Sequence, residues 1–223
     1  MEIYLILLAA GNSVRFGGNK LLAQVGGKPM YRHIVDEVAR IEDMHAGNAS
    51  GDPCPGGVGG GGGRGRVFCG KVAVTQYPVI GEDLARAGYE VVYNEHGGDG
   101  IASSIRLGIE AATAMAHEGC AGARGFMFAV CDQPALRGET IEGFLQGFLA
   151  GHKGIGSLAQ GGEMGNPAIF SEKYLPELLA LSGDVGGRRV IKAHMDDVYL
   201  HEVGDAGELR DIDIAPLTEP CAK

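Results

Sequence analysis

Two cations, Arg15 and Lys20, share one short glycine-bearing loop, Leu8-Ala9-Ala10-Gly11-Asn12-Ser13-Val14-Arg15-Phe16-Gly17-Gly18-Asn19-Lys20. Glycine lets backbone amides approach a ligand closely, and fixed positive charges beside those amides suit a run of phosphates. The spacing therefore points to a triphosphate cradle. It matches neither G-x-G-x-x-G, for a dinucleotide, nor G-x-x-x-x-G-K-[ST], for a P-loop. No histidine or cysteine pair sits at a spacing that suits nucleophilic catalysis, and the seven histidines are scattered.

Such a loop needs an element to aim it. Ile3 to Leu8 is a continuous apolar run, as expected of a strand buried on both faces of a parallel sheet, so the loop falls at a carboxyl strand end, where open α/β sheets bind ligands. Helical spacing of Met30, Ile34, Val38 and Ile41 predicts a helix over 29–41, with Pro29 in its first turn. Further strands are expected at 71–75, 90–93, 126–130, 155–159 and 198–203. Helices are expected at 83–87, 103–115, 139–149 and 174–181. This alternation predicts one domain over 1–223: a single-domain three-layer α/β/α fold around an open twisted, mostly parallel sheet of Rossmann-like kind. Between about 46 and 66 the composition collapses to glycine, proline and small residues, which reads as a disordered insertion without chemistry.

Composition narrows the partners. A chain of 223 residues that is 45% hydrophobic can bury a full core, and its net charge of −9 argues against nucleic acid or an anionic membrane surface. An anionic substrate then needs a locally basic pocket or a metal. No basic leader precedes the first apolar run, which is too short for a signal core or a membrane span, so a cytoplasmic location is expected. Five cysteines without a C-x-x-C pair read as reduced thiols.

The Leu8-Ala9-Ala10-Gly11 loop, with Ser13, Arg15, Lys20 and Lys28-Pro29-Met30, resembles the signature of the molybdenum-cofactor nucleotidyltransferases. These form the MobA-like NTP transferase family within the nucleotide-diphospho-sugar transferase-like, or pyrophosphorylase-like, group. Asn94 through Gly108, with Gly100, Ser103 and Ser104, is similar to the family's second nucleotide segment. Val130-Cys131-Asp132-Gln133-Pro134 resembles its metal-binding segment. Gly165-Asn166-Pro167, the 182–187 run and Asp211-Ile212-Asp213 echo its later blocks in order. The resemblance covers the chain apart from the glycine-rich insertion.

The resemblance implies nucleotide binding by Leu8, Ala9, Ala10, Gly11, Ser13, Arg15, Lys20, Asn94, Gly100, Ser103 and Ser104. It implies a magnesium ion, Mg2+, at Asp132 with Asp211 and Asp213, and an acceptor at Gly165, Asn166 and Pro167. Arg15, Lys20 and Asp132 become the catalytic residues. Magnesium keeps several waters and takes few protein carboxylates, which suits this sparse set. The Leu-Ala-Ala-Gly form is associated with cytidylyl transfer and a Leu-Ala-Gly-Gly form with guanylyl transfer, so Ala10 favours CTP. The implied reaction moves CMP onto the phosphate of molybdenum-bound molybdopterin, with a molybdenum hydroxylase receiving the product.

Two departures stand out. Asn166 replaces a histidine common in cytidylyl members; it can hydrogen-bond a phosphate or pterin edge but cannot carry charge, which bears on the acceptor rather than the reaction. The last block also lacks the usual Thr-Pro-Glu-Asp continuation. Bland roles stay open at this point: Asp132, Ser103 and Ser104 also suit helix caps, and Asp211 and Asp213 a surface turn. Guanylyl transfer, another transferase of the group and a non-catalytic cofactor-binding chaperone remain alternatives.

Overall fold

The computed structural model describes residues 1–11, 19–47, 67–115 and 123–212. In chain order the elements are β1 (Glu2–Ala9), β2 (Gln24–Val25), β3 (Lys28–Pro29), α1 (Met30–Gly47), β4 (Gly70–Thr75), α2 (Pro78–Arg86) and β5 (Glu90–Tyr93). There follow α3 (Ile101–Met115), β6 (Arg124–Val130), α4 (Gly138–Ala150), β7 (Ile155–Gln160), β8 (Glu163–Ser171), α5 (Leu175–Leu179), α6 (Arg188–Ala193) and β9 (Val198–Glu202). Single turns of 3-10 helix lie at Lys20–Leu22, Gly97–Asp99, Glu172–Tyr174 and Met195–Asp197.

The described residues form a seven-stranded sheet in the order β5-β4-β1-β6-β8-β7-β9. β8 is antiparallel to both of its neighbours, while the other pairs run parallel. β1 and β6 lie at the centre and alternate their side chains between two cores. Ile3, Leu5 and Leu7 with Met127 and Ala129 face α1, α2 and α4. Tyr4 and Ile6 with Phe126 and Phe128 face α3, α5 and α6. That double burial is why their sequences are continuously apolar, and it yields the expected three-layer fold.

Several expectations need correction. Pro29 precedes α1 instead of opening it: it pairs with Gln24 in a two-residue hairpin whose turn residues, Gly26 and Gly27, have φ of 57° and 86°. Positive φ at both positions matches strand twist in such a hairpin, and glycine supplies it. α1 continues to Gly47, so the start of the expected insertion is helical, and 48–66 lie outside the described residues. The helix expected at 174–181 is a 3-10 turn followed by a five-residue α5. β8 and α6 were not anticipated.

The ionisable contacts give this fold a defined acid limit. Hydrogen bonds from Arg40 hold Glu139 down at about 2. Burial pushes Asp197 up, but Lys173, Tyr174 and the Gly154 amide outweigh it and bring the group to about 2. Glu208 is likewise held low by Arg137 and Thr140 against its burial. Each depressed carboxyl stabilises the fold above its unfolded value, roughly 4, and loses that contribution as pH falls toward its folded value. Glu139 is 62% exposed and adds little; Asp197 and Glu208 carry the effect. Urea midpoints are expected to hold level from pH 7 to 5 and to drop clearly by pH 3. An unchanged midpoint at pH 3 would count against these pairings.

Candidate active site

β1 delivers the first loop to the carboxyl edge of the sheet, where Ala9 and Ala10 are buried and Gly11 is exposed. Three successive carbonyls, from the last residue of β1 into this loop, are held by three successive residues, the last of β4 and the two that follow it. Thr75 Oγ1 donates to Ala9 O at 3.1 Å, Gln76 Nε2 to Ala10 O at 2.7 Å and the Tyr77 hydroxyl to Gly11 O at 3.0 Å. The Gly97–Asp99 turn closes on the same place, since a Cβ on Gly97 would lie 3.0 Å from Ala10 O. Leu8 is half-buried near the end of β1 toward this edge. Ser13 and Arg15 lie outside the described residues.

The chain returns at Asn19, whose Oδ1 accepts from the Leu21 amide at 3.0 Å and starts the short helix bearing Lys20. Lys20 Nζ then reaches Asp132 Oδ2 at 2.7 Å, with the two side chains 15% and 19% exposed. Asp132 directly follows β6 and Cys131. The other carboxylate oxygen, Asp132 Oδ1, is buried with no hydrogen-bond partner among the described residues. Asp132 does not cap α4, which begins at Gly138 behind Arg137. Burial, and then the Asp132 carboxylate, push the Cys131 thiol well above its ordinary value, so it stays protonated and is no nucleophile.

A segment from far along the chain completes this edge. The Ile212 amide donates to Asp132 O at 3.0 Å. Gln133 Nε2 donates to Asp211 Oδ1 at 2.9 Å and to Leu209 O at 3.1 Å. Asp211 thus stands one side chain away from Asp132, while Asp213 lies outside the described residues. Among the described residues no group of three or more His, Cys, Asp or Glu side chains forms a metal cluster. A buried, unpartnered oxygen on Asp132 with Asp211 close by fits a hard cation that draws its remaining ligands from phosphate and water.

Asn94, Gly100, Ser103 and Ser104 gather at the start of α3. Asn94 is 1% exposed. Its Nδ2 donates to Ser103 Oγ and Ser104 Oγ, both at 2.9 Å, its Oδ1 accepts from the His96 amide, and Ser103 Oγ donates to Gly100 O at 2.8 Å. These bonds shape the turn that abuts the first loop. Gly100 packs on the 182–187 run, and the Ala102 amide donates to Gly183 O at 3.1 Å.

Gly165, Asn166 and Pro167 occupy the first half of β8, with a cis peptide between Asn166 and Pro167. The β6–β8 ladder ends at Phe128 and Ala168, so these three residues run on past it toward the carboxyl end of β6, where Asp132 emerges. A Cβ on Gly165 would meet Leu209 Cδ1 at 3.0 Å, which places the trio against the Asp211 segment. Gln76, Tyr77 and Gln133 are site residues that no motif of the sequence marks by role. Gln133 lay inside a motif already singled out, and Gln76 and Tyr77 follow a predicted strand at the ligand-binding edge.

Residues 5–198 match the family described as the MobA-like NTP transferase domain. No curated protein sequence matches the chain. Among solved structures, Rv0371c from Mycobacterium tuberculosis H37Rv is similar at 22% identity with a TM-score of 0.67, covering 96% of this chain and 94% of that one. Another structure of Rv0371c, a complex with manganese, aligns at 19% identity and a TM-score of 0.60, over 91% and 89% of the two chains. A nucleotidyl transferase from Methanothermobacter, Mth528, gives 20% identity, a TM-score of 0.68 and coverages of 96% and 93%. Molybdopterin-guanine dinucleotide biosynthesis protein A from Archaeoglobus fulgidus gives 14%, 0.53 and coverages of 90% and 83%. At these identities the structures establish a shared fold.

Proposed function

The chain belongs to the MobA-like NTP transferase domain family, and we propose that it transfers CMP from CTP to the phosphate of molybdenum-bound molybdopterin, releasing pyrophosphate. The observation that carries this reading is the Asp132 carboxylate at the end of β6, with Oδ2 on Lys20, a buried unpartnered Oδ1, and Asp211 held by the neighbouring Gln133. Asp132 and Asp211 would hold a divalent cation, magnesium in our reading, which would supply Lewis-acid charge at the triphosphate when bound. The manganese complex of Rv0371c supports a divalent ion in this fold.

The chain's own residues do the rest. Arg15 and Lys20 bind the triphosphate, and Lys20 also fixes the rotamer of Asp132. Thr75, Gln76 and Tyr77 hold the Ala9–Gly11 backbone against the nucleotide, so the cradle is set before substrate arrives. Asn166 at the β6 edge orients the acceptor by hydrogen bonding. A new P–O bond forms between an acceptor phosphate oxygen and the α-phosphorus, the bond to the β-phosphate oxygen breaks, and pyrophosphate leaves with its electrons. An anionic phosphate needs no general base, consistent with the protonated Cys131 beside the site. Ala10 carries the base assignment through the Leu-Ala-Ala-Gly form of the loop, which the resemblance associates with cytidylyl transfer; its methyl packs in the core, so any effect on the base would act through the loop backbone.

Pyrophosphate release, measured with magnesium and molybdenum-bound molybdopterin and comparing CTP, GTP, ATP and UTP, tests this reading. Release with CTP far above the others is expected. A GTP preference would keep the transfer and overturn the base. No release with any nucleotide would replace the enzyme by a binding protein.

A further inference from the structure

The segment from Asp205 to Ile212 has neither helix nor strand, yet it brings Asp211 to the end of β6. Two tight turns fold it, with the Glu208 amide donating to Asp205 O and the Arg210 amide to Gly207 O. Glu208, in its middle, is 2% exposed. Its carboxylate accepts from the Arg137 amide at 3.2 Å, from Arg137 Nη2 at 2.5 Å and from Thr140 Oγ1 at 2.6 Å. Those donors stand at the first turn of α4, where backbone amides lack helical partners and the helix dipole favours a negative charge.

We propose that Glu208 is a positioning residue whose buried carboxylate clamps the 205–212 segment to α4 and thereby holds Asp211 beside Asp132. The inference rests on the reading that these two aspartates receive the cation. Its geometry is a strap with unequal ends. At Glu208 three hydrogen bonds, two of them from one arginine, meet a desolvated charge; beyond it the ties include the two bonds of Gln133, the Ile212 backbone bond and the packing of Leu209 on the core. Bonds to a buried charge are the stronger kind, and leaving such a charge or its partners unsatisfied is costly. With the clamp removed, the strap loses the charged anchor that ties its middle to α4. Loss of a hydrogen-bond partner of a metal ligand typically costs about 10–100-fold in metal affinity, and Glu208, which acts on Asp211 through the strap, is expected at the low end of that range.

The test is manganese binding, with the metal alone, by electron paramagnetic resonance on wild type, Glu208→Ala, Glu208→Gln and Asp211→Asn. Melting temperatures and amide exchange at Ile212 are followed alongside. Glu208→Ala is expected to weaken manganese affinity about tenfold and to speed Ile212 exchange. Glu208→Gln, which keeps the shape and one acceptor, should lie between it and wild type. A purely structural residue would lower the melting temperature without changing affinity in the folded protein. Wild-type affinity in folded Glu208→Ala overturns the proposal, and if that variant does not fold, wild-type affinity in Glu208→Gln does so. Unchanged binding in Asp211→Asn removes the cation reading and the clamp with it, whereas weakened Asp211→Asn beside unaffected Glu208 variants removes the clamp alone.

Discussion

Asp132→Asn is expected to lower kcat/KM for the nucleoside triphosphate by about a thousandfold or more while leaving the protein folded. Asparagine keeps the volume and one acceptor oxygen, so the change removes charge rather than packing. That charge is proposed to hold the cation that offsets negative charge on the triphosphate, an effect worth several kcal/mol; about 4 kcal/mol corresponds to the stated loss. The substitution also removes the negative charge that faces Lys20 at 2.7 Å. Breaking a fully buried pair costs about 3–5 kcal/mol, but both side chains retain some solvent, so a cost nearer 1–2 kcal/mol is expected. For a domain of this size that lowers Tm by roughly 2–8 °C. Steady-state rates and a melting curve on the same preparation check both parts. Turnover within tenfold of wild type would end the assignment of Asp132 to the cation.

Asp132 was legible because a lone carboxylate after a doubly buried apolar strand stands out, and the strand was legible because both of its faces meet core. Lys20 was legible by charge and loop position. The bond between them, spanning 112 residues of sequence, was not legible from either residue and appears only in the fold. Gln133 and Glu208 escaped for different reasons. A neutral amide carries no chemical signal, and the acidic Glu208 reads as solvated surface until Arg137 and Thr140 are seen around it.

Elements failed to show where tertiary contacts overrode local pattern. The first half of β8 reads Glu-Met-Gly-Asn-Pro, which looks like a turn, and proline argues against a central strand. The structure accommodates Pro167 because the β6 ladder has ended at Ala168, so its missing amide proton removes no bond there. The extension of α1 past Ile41 is polar, and its support is distant: Glu42 pairs with Lys71, and His45 with Glu142 on α4. α6 has only six residues and two buried apolar side chains, too few for a helical period to emerge.

The second large effect is expected at Gly100, where alanine should both destabilise the protein and impair nucleotide turnover. Its φ of 92° and ψ of 174° fall in a region essentially confined to glycine, a cost of about 1–3 kcal/mol for any other residue. A Cβ there would also lie 2.3 Å from the Gly183 carbonyl carbon, 2.4 Å from its oxygen and 2.6 Å from the Asp184 nitrogen. All three are backbone atoms, so no side-chain rotation relieves the clash. Either the turn braced by Asn94 and Ser103 or the 182–187 run must move. A combined cost of at least about 3 kcal/mol lowers Tm by roughly 6–12 °C, and a shift near 1 Å beside the first loop would cut kcat/KM about a hundredfold. Gly183→Ala separates strain from collision: its φ is 61°, but a Cβ there meets nothing within 4 Å, leaving a backbone cost of about 1–2 kcal/mol. Melting curves and rates for the two variants should therefore differ sharply, with Gly100→Ala the worse in both. Equal losses would mean that close packing of these two segments does not matter and that only the backbone conformation of each glycine does.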